Sequence, residues 1–298
     1  MHKFFTELMQ ALSSLFRDKQ LIPNWSYSCV HTFWRLKTSL DGFIVGEDRN
    51  TLQKTVSFFC INEKTGEVLW KNRVFDEKWW LSFEIIYDGV IFFHEYSSPD
   101  LPEPKKIIAV DIHTGNILWE NPDYKLLFAY SGNAYVLKQG YVNQFFELDI
   151  TSGTIERDLG FDVSYVSSLQ NLAEKQQTGT NVFLPEYIEK KIFFQEKEYQ
   201  LILKKLNFEK VTGIIEQYRN AKYVALSFYE NMNPNSFEND LIQRLYIFKT
   251  ERTSYKKVFE EILIQHATTA IANAFFIKHE MLYFVKEKKI LSAISLAD

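Results

Sequence analysis

The sequence predicts an all-β protein built from repeated four-stranded antiparallel sheets. Three observations predict it: a ten-residue phrase that recurs along the chain, glycine-containing tight turns upstream of its copies, and an aromatic content of 16% over 298 residues. The phrase runs Ile61-Asn62-Glu63-Lys64-Thr65-Gly66-Glu67-Val68-Leu69-Trp70, then Val110-Asp111-Ile112-His113-Thr114-Gly115-Asn116-Ile117-Leu118-Trp119. Weaker copies span Leu148 to Arg157 and Phe208 to Gln217. An apolar strand ends in an acidic or amide residue, turns on Thr/Ser-Gly and re-enters an apolar strand. Self-similarity of this kind is the mark of a repeat architecture.

Taken in order, the chain opens with Phe4, Phe5, Leu8, Leu12, Leu15 and Phe16 at helical spacing, so residues 1–19 are expected to form an amphipathic helix ahead of a β domain over 20–298. Glu7 and Gln10 interrupt any secretory apolar core and no run is long enough to span a bilayer, so a cytoplasmic protein without a transmembrane segment is expected. Leu21 to Tyr27 reads as a strand with no hairpin partner of its own. From His31 onward, Asp41-Gly42, Asp88-Gly89 and Ser131-Gly132 each divide two apolar runs, as hairpin turns do, because glycine takes the positive φ of a tight turn. Each unit then has four strands. In the second they are Leu81–Tyr87, Val90–Glu95, Lys106–Ile112 and Asn116–Glu120; in the third, Lys125–Tyr130, Ala134–Lys138, Asn143–Ile150 and Thr154–Asp158.

The repeat glycines 66, 115, 153 and 213 are spaced by 49, 38 and 60 residues. The long gap, with a polar stretch from Gln170 to Thr180, reads as an insertion in a fourth unit. A fifth is expected from about Ala221 to Leu263. The last unit, from Ile271 to Leu296, stops where its fourth strand should start. The strand holding Trp25 is the candidate to complete that sheet, with Trp25 in the position of Trp70 and Trp119. Four-stranded sheets at this period are the signature of a β-propeller, here of about six blades with five or seven as the alternatives, closed by the N-terminal strand.

The Thr-Gly-x-x-x-Trp phrase, Thr65 to Trp70 and Thr114 to Trp119, resembles the repeat of quinoprotein-like (PQQ-type) propellers. With Trp34-Arg35-Leu36 and Trp79-Trp80, the chain also looks like an uncharacterised bacterial propeller-like family, a resemblance that implies no activity. Quinone-dependent members of the first group are typically exported and use an adjacent cysteine pair at the cofactor. Here the two cysteines, Cys29 and Cys60, are far apart in sequence, so no quinone and no other cofactor is expected. They read as free buried thiols, with a bridge between adjacent strands as the alternative.

A net charge of −4 with both signs interspersed and no basic stripe argues against nucleic acid. The six histidines show no metal-ligand spacing, and there is no nucleophile elbow, phosphate loop or H-E-x-x-H. In a propeller the long irregular loops fall on one face, and binding usually lives on such loops. That face is expected to gather Arg35, Glu47, Arg49, Trp79, Trp80 and His94. Each has a plainer reading: Trp79 and Trp80 as packing, Glu47 and Arg49 as an ion pair, His94 as a surface residue, and Arg35 paired with a carboxylate near the axis. A monomeric, non-catalytic scaffold for a protein partner is the first reading. The alternative is a small-molecule-binding or hydrolytic propeller with its site at the axial funnel.

Overall fold

A computed structural model describes residues 20–96, 104–177, 182–204, 206, 211–233 and 240–297. The amphipathic segment 1–19 lies outside them. The chain divides into two compact units, Ser28–Asn181 and Met1–Tyr27 together with Val182–Asp298.

Strand β1 (Trp25–Ser28) belongs to the second of these. The Ser28–Asn181 unit carries three four-stranded antiparallel sheets: β2 (Phe33–Thr38), β3 (Phe43–Asn50), β4 (Thr55–Asn62) and β5 (Val68–Arg73); β6 (Leu81–Tyr87), β7 (Val90–Tyr96), β8 (Pro104–Asp111) and β9 (Ile117–Asn121); β10 (Tyr124–Tyr130), β11 (Asn133–Lys138), β12 (Gln144–Asp149) and β13 (Ile155–Gly160). Each follows chain order, and the strand boundaries match the sequence expectation within one or two residues. The tight turns are built as expected: Asp88 and Gly89 have φ of 47° and 74°, Ser131 and Gly132 of 51° and 79°.

The recurring phrase is a turn with a side-chain scaffold. Asn62 Oδ1 accepts from the backbone N–H groups of Lys64 and Thr65, both at 3.0 Å, and Gly66 N–H donates to Asn62 O. Asp111 does the same for Thr114, and Asp149 for Thr151 and Ser152. These donors, Ser152 above all, hold the Asp149 carboxyl below its usual range. The tryptophan of one copy docks on the next. Trp70 Nε1 donates to Ile112 O at 2.7 Å and its ring lies over Gly115; Trp119 Nε1 donates to Ile150 O at 2.9 Å and lies over Gly153. A Cβ at Gly115 or Gly153 would sit 2.9 or 2.6 Å from the indole, so glycine is required there by packing as well as by φ. The third copy ends in Arg157 and not Trp, and Arg157 turns to Glu147 and Tyr165.

Successive sheets pack face to face. Phe58, Val45 and Cys60 of the first sheet meet Phe83, Phe93 and Val110 of the second, and Phe92 and Ala109 of the second meet Leu126, Val136 and Phe146 of the third. Phe58 and Phe93 meet edge to face at 4.7 Å, a geometry worth about 0.5–1.5 kcal/mol beyond the area buried. Both cysteines are buried and no disulfide joins them, and burial pushes the Cys60 thiol up to about 12. After β13 the chain forms α1 (Val163–Gln177), whose Val166 and Ala173 cover Phe128, Tyr135 and Phe145 of the third sheet. Most of the stretch read as a polar insertion is therefore a helix.

In the other unit, β14 (Val182–Phe183) and β15 (Glu186–Ile188) precede two short helices, α2 (Lys190–Gln195) and α3 (Lys197–Leu203). A sheet follows with the order β15, β16 (Val211–Arg219), β17 (Tyr223–Asn231), β18 (Leu241–Thr250) and β19 (Tyr255–Ala267). The last sheet has the order β1, β22 (Ile290–Ser295), β21 (Met281–Lys286), β20 (Phe275–Lys278) and β14. The N-terminal strand does complete it: Asn24 N–H donates to Ala293 O, and Trp25 is buried against Tyr283.

The described residues form five sheets, a number the repeat count allows beside its first reading of about six. Gly213 does not make a turn between strands; it sits inside β16 with φ of 68°, where the register to β17 shifts between Thr212 and Glu216. A bulge of the G1 type also places a glycine at positive φ, and here the strands expected of the fourth and fifth units lie in one sheet. None of the five is closed on itself.

Candidate functional site

The expected site residues all lie in the Ser28–Asn181 unit and fall into two groups. The first centres on β3, which is buried through its middle. Glu47 is fully buried; it accepts from Arg49 Nε at 2.8 Å and from Ser82 Oγ at 2.5 Å. Arg49 Nη1 donates to Trp79 O at 2.8 Å and Nη2 to Leu81 O at 2.6 Å. The guanidinium also lies 4.9 Å from the Trp79 ring centre and 5.8 Å from that of Trp34. A buried pair survives only when its remaining donors are satisfied, as they are here. Glu47 and Arg49 thus form a bolt from the first sheet to the loop that enters the second. Asp48, between them, accepts from the N–H groups of Val30, His31 and Thr32 and fixes the lead-in to β2.

The bolt fixes an aromatic rim. Trp79 is half-buried, with Lys54 Nζ 4.8 Å from its ring centre, and meets Trp80 edge to face at 6.4 Å. Trp80 is 38% exposed and Trp34 is 61% exposed. Glu77 holds the loop by accepting from the N–H groups of Trp79 and Trp80, both at 2.8 Å.

The second group surrounds Glu84 on β6. Arg35 Nη1 donates to Phe83 O at 3.0 Å and to Glu84 Oε1 at 3.3 Å, so Arg35 meets a carboxylate. Lys37 donates to Glu84 O and Tyr96 donates to the Glu84 carboxylate. Burial, with the Glu84 charge, raises the Tyr96 phenol, and burial lowers the Lys37 ammonium. His94 is not a surface residue. It is 4% exposed, its Nε2 has no hydrogen-bond partner, and burial lowers its pKa, so the ring is neutral at physiological pH. No group of three or more His, Cys, Asp or Glu able to hold a metal ion occurs among the described residues.

Two site features escape a sequence reading. Glu84 is the hub of the second group; a lone charge in the apolar inner strand Leu81-Ser82-Phe83-Glu84-Ile85-Ile86-Tyr87 is the signal that marks it. Trp34 is the most exposed ring of the rim, and a tryptophan on a strand otherwise reads as core. What the arrangement offers chemically is a rigid apolar and cationic surface and a saturated polar network.

The fold and the site together define an all-β protein of blade-like antiparallel sheets with an aromatic rim. Residues 38–119, which run from the end of β2 into β9 and include Trp79 and Trp80, match the model of a domain of unknown function, DUF4905. No curated protein matches the chain. Among solved structures the chain is similar to BamB from Moraxella catarrhalis, at 9% identity and a TM-score of 0.29 over 93% of this chain and 100% of that one. It is similar to the uncharacterized protein lmo1340 from Listeria monocytogenes EGD-e, at 8% and 0.32 over 88% and 94%. It is also similar to the β-propeller domain of the Trilobed protease from Pyrococcus furiosus, at 11% and 0.29 over 86% and 64%. Likenesses at these TM-scores carry no argument about function. No helix among the described residues is long and apolar enough to cross a membrane.

Proposed function

We propose that the protein is a non-catalytic β-propeller, closed through its N-terminal strand, that presents the Trp34–Trp79–Trp80 rim to a protein partner as a cytoplasmic monomer. One observation carries the reading: exposed tryptophans stand on a base whose hydrogen bonds are already made. Aromatic and arginine groups dominate binding hot spots, and a surface held rigid before binding loses little entropy when a partner arrives. Closure is supported by the pairing of β1 with β22, which covers an otherwise open sheet edge. The PQQ-type likeness of the repeat is supported by the tryptophan–glycine docking, and brings no quinone site with it.

The hydrolytic alternative has one observation in its favour, the unpartnered Nε2 of His94. It requires a substrate to reach a ring that is 4% exposed, and Arg35, Lys37 and Tyr96 already occupy Glu84. The test is cross-linked capture from the native cell with wild type, Trp34→Ala and Trp80→Ala. Loss of the same partner in both variants, at unchanged melting temperature, is the expected result. Equal capture by all three removes the rim as the interface, and turnover that His94→Ala abolishes moves the protein to the alternative reading.

A further inference from the structure

Far along the chain from the rim, the segment from Phe183 to Arg219 builds a cleft of about 850 Å³. Two of its lining residues, Ile188 and Tyr199, are anchored in a core cluster with Phe193, Ile202, Ile215 and Phe228. Small-molecule sites are concavities of roughly 300–1,000 Å³; the cleft has that volume, and its surface mixes aromatic and aliphatic groups with a larger polar share.

Its chemistry is one-sided. Three carboxylates, Glu186, Glu189 and Glu196, line it against a single cation, Arg219. Arg219 is already engaged, with its guanidinium 5.8 Å from the Tyr199 ring centre. Glu186 accepts from Gln217, whose amide oxygen accepts from Tyr199 at 2.6 Å. Among the described residues neither Glu189 nor Glu196 pairs with a cation, and the lysines of the same two helices do not line the cleft. The walls also leave large apolar groups open to solvent: Tyr187 is 61% exposed and Leu184 58%. Carboxylates attract a positive charge, and a tyrosine face adds to that attraction through its quadrupole. The exposed Leu184 and Tyr187 suit an organic body on the cation. Phosphate and carboxylate ligands would meet three like charges.

We propose that this cleft binds a small organic cation, an ammonium or guanidinium group carried on an apolar body. The test uses the full chain and isothermal titration with benzyltrimethylammonium as the probe, and with benzoate and cellobiose as the anionic and neutral comparisons. Saturable binding of benzyltrimethylammonium alone is expected, weakened by high salt. The double variant Glu189→Gln/Glu196→Gln should weaken it by about fivefold or more, and Tyr187→Ala by a similar factor. All three side chains are exposed, so the variants should keep the parent melting temperature; Trp34→Ala, outside the cleft, should bind as wild type. Binding that the double variant leaves unchanged, saturation by benzoate or cellobiose in place of the cation, or no saturable binding of the cation would each overturn the proposal.

Discussion

Replacing Gly153 with alanine tests whether the recurring phrase is a docking device. A Cβ at Gly153 would lie 2.6, 2.7 and 3.0 Å from three carbons of the Trp119 indole, where carbons in contact sit about 3.5–4.0 Å apart. The ring must move, and its Nε1 bond to Ile150 O moves with it. The residue also has φ of 68°, which costs a side chain about 1–2 kcal/mol. Overpacking adds about 1–3 kcal/mol, so the expected loss is about 2–5 kcal/mol in urea unfolding. Gly132→Ala supplies the control within the same unit: φ is 79° but nothing lies within 4 Å of its Cβ, so only the backbone cost of about 1–2 kcal/mol applies. Introducing Trp119→Ala first should remove the clash and bring Gly153→Ala down to the control value, a coupling of about 1–3 kcal/mol. If Gly153→Ala and Gly132→Ala agree within about 0.5 kcal/mol in the wild-type background, docking is not what that glycine is for.

Three further outcomes follow from the same geometry. Arg49→Met leaves Glu47 buried with Ser82 as its remaining partner, and should cost about 3–5 kcal/mol in urea unfolding; the additional change Glu47→Leu should recover part of that, and no recovery would contradict the bolt. Trp25→Ala should cost about 3–5 kcal/mol through loss of core packing against the last sheet, and an unchanged unfolding midpoint would remove β1 from the structural core. His94 is the pH-sensitive element: its folded-state pKa lies below the ordinary 6.5, so its contribution is intact above that value and is lost as pH falls toward the folded-state value. Thermal melts should therefore drop less between neutral and mildly acid pH in His94→Leu than in wild type, and parallel curves would contradict the assignment.

The first three sheets are legible because each strand junction carries its own chemistry. Asp88-Gly89 and Ser131-Gly132 demand a hairpin, and Asp111 and Asp149 supply the acceptor that the Thr-Gly turn needs. The fourth sheet is not, because one residue type answers two demands. Gly213 has the φ of a repeat turn but serves a bulge, and the sequence around it does not separate the two. The helices of residues 163–203 were missed for another reason. α1 shows only a narrow apolar stripe, with Val166 and Ala173 buried and Val163, Tyr165 and Leu172 open to solvent, so its composition reads as a polar loop. In the last sheet, Glu287 and Lys288 take φ of 50° and 55° without a glycine; that turn was placed by the apolar runs on either side of it.

The site was half legible, and β3 shows why. Glu47, Asp48 and Arg49 follow an apolar run, as residues at the mouth of a loop do, which places Glu47 and Arg49 on the expected binding face. The structure extends the strand through Asn50 and buries all three. The second strand of a four-stranded sheet has neighbours on both edges, and here both of its faces are covered by packing as well. Successive side chains on a strand point to opposite faces, so Glu47 and Arg49, two apart, share one face and Asp48 takes the other. Charges placed in such a position must find partners inside the protein. The i, i+2 pairing of opposite charges is therefore a signal for a bolt and not for a ligand, and Asp48 alone on the opposite face must seek backbone donors, as it does in Val30, His31 and Thr32. The same logic releases Trp80: it sits in the loop before β6, beyond the pairing that buries its neighbours, and stays exposed because Arg49 spends its donors on the backbone beside it. Function, on this account, falls to the residues that the bolt holds in place and does not consume.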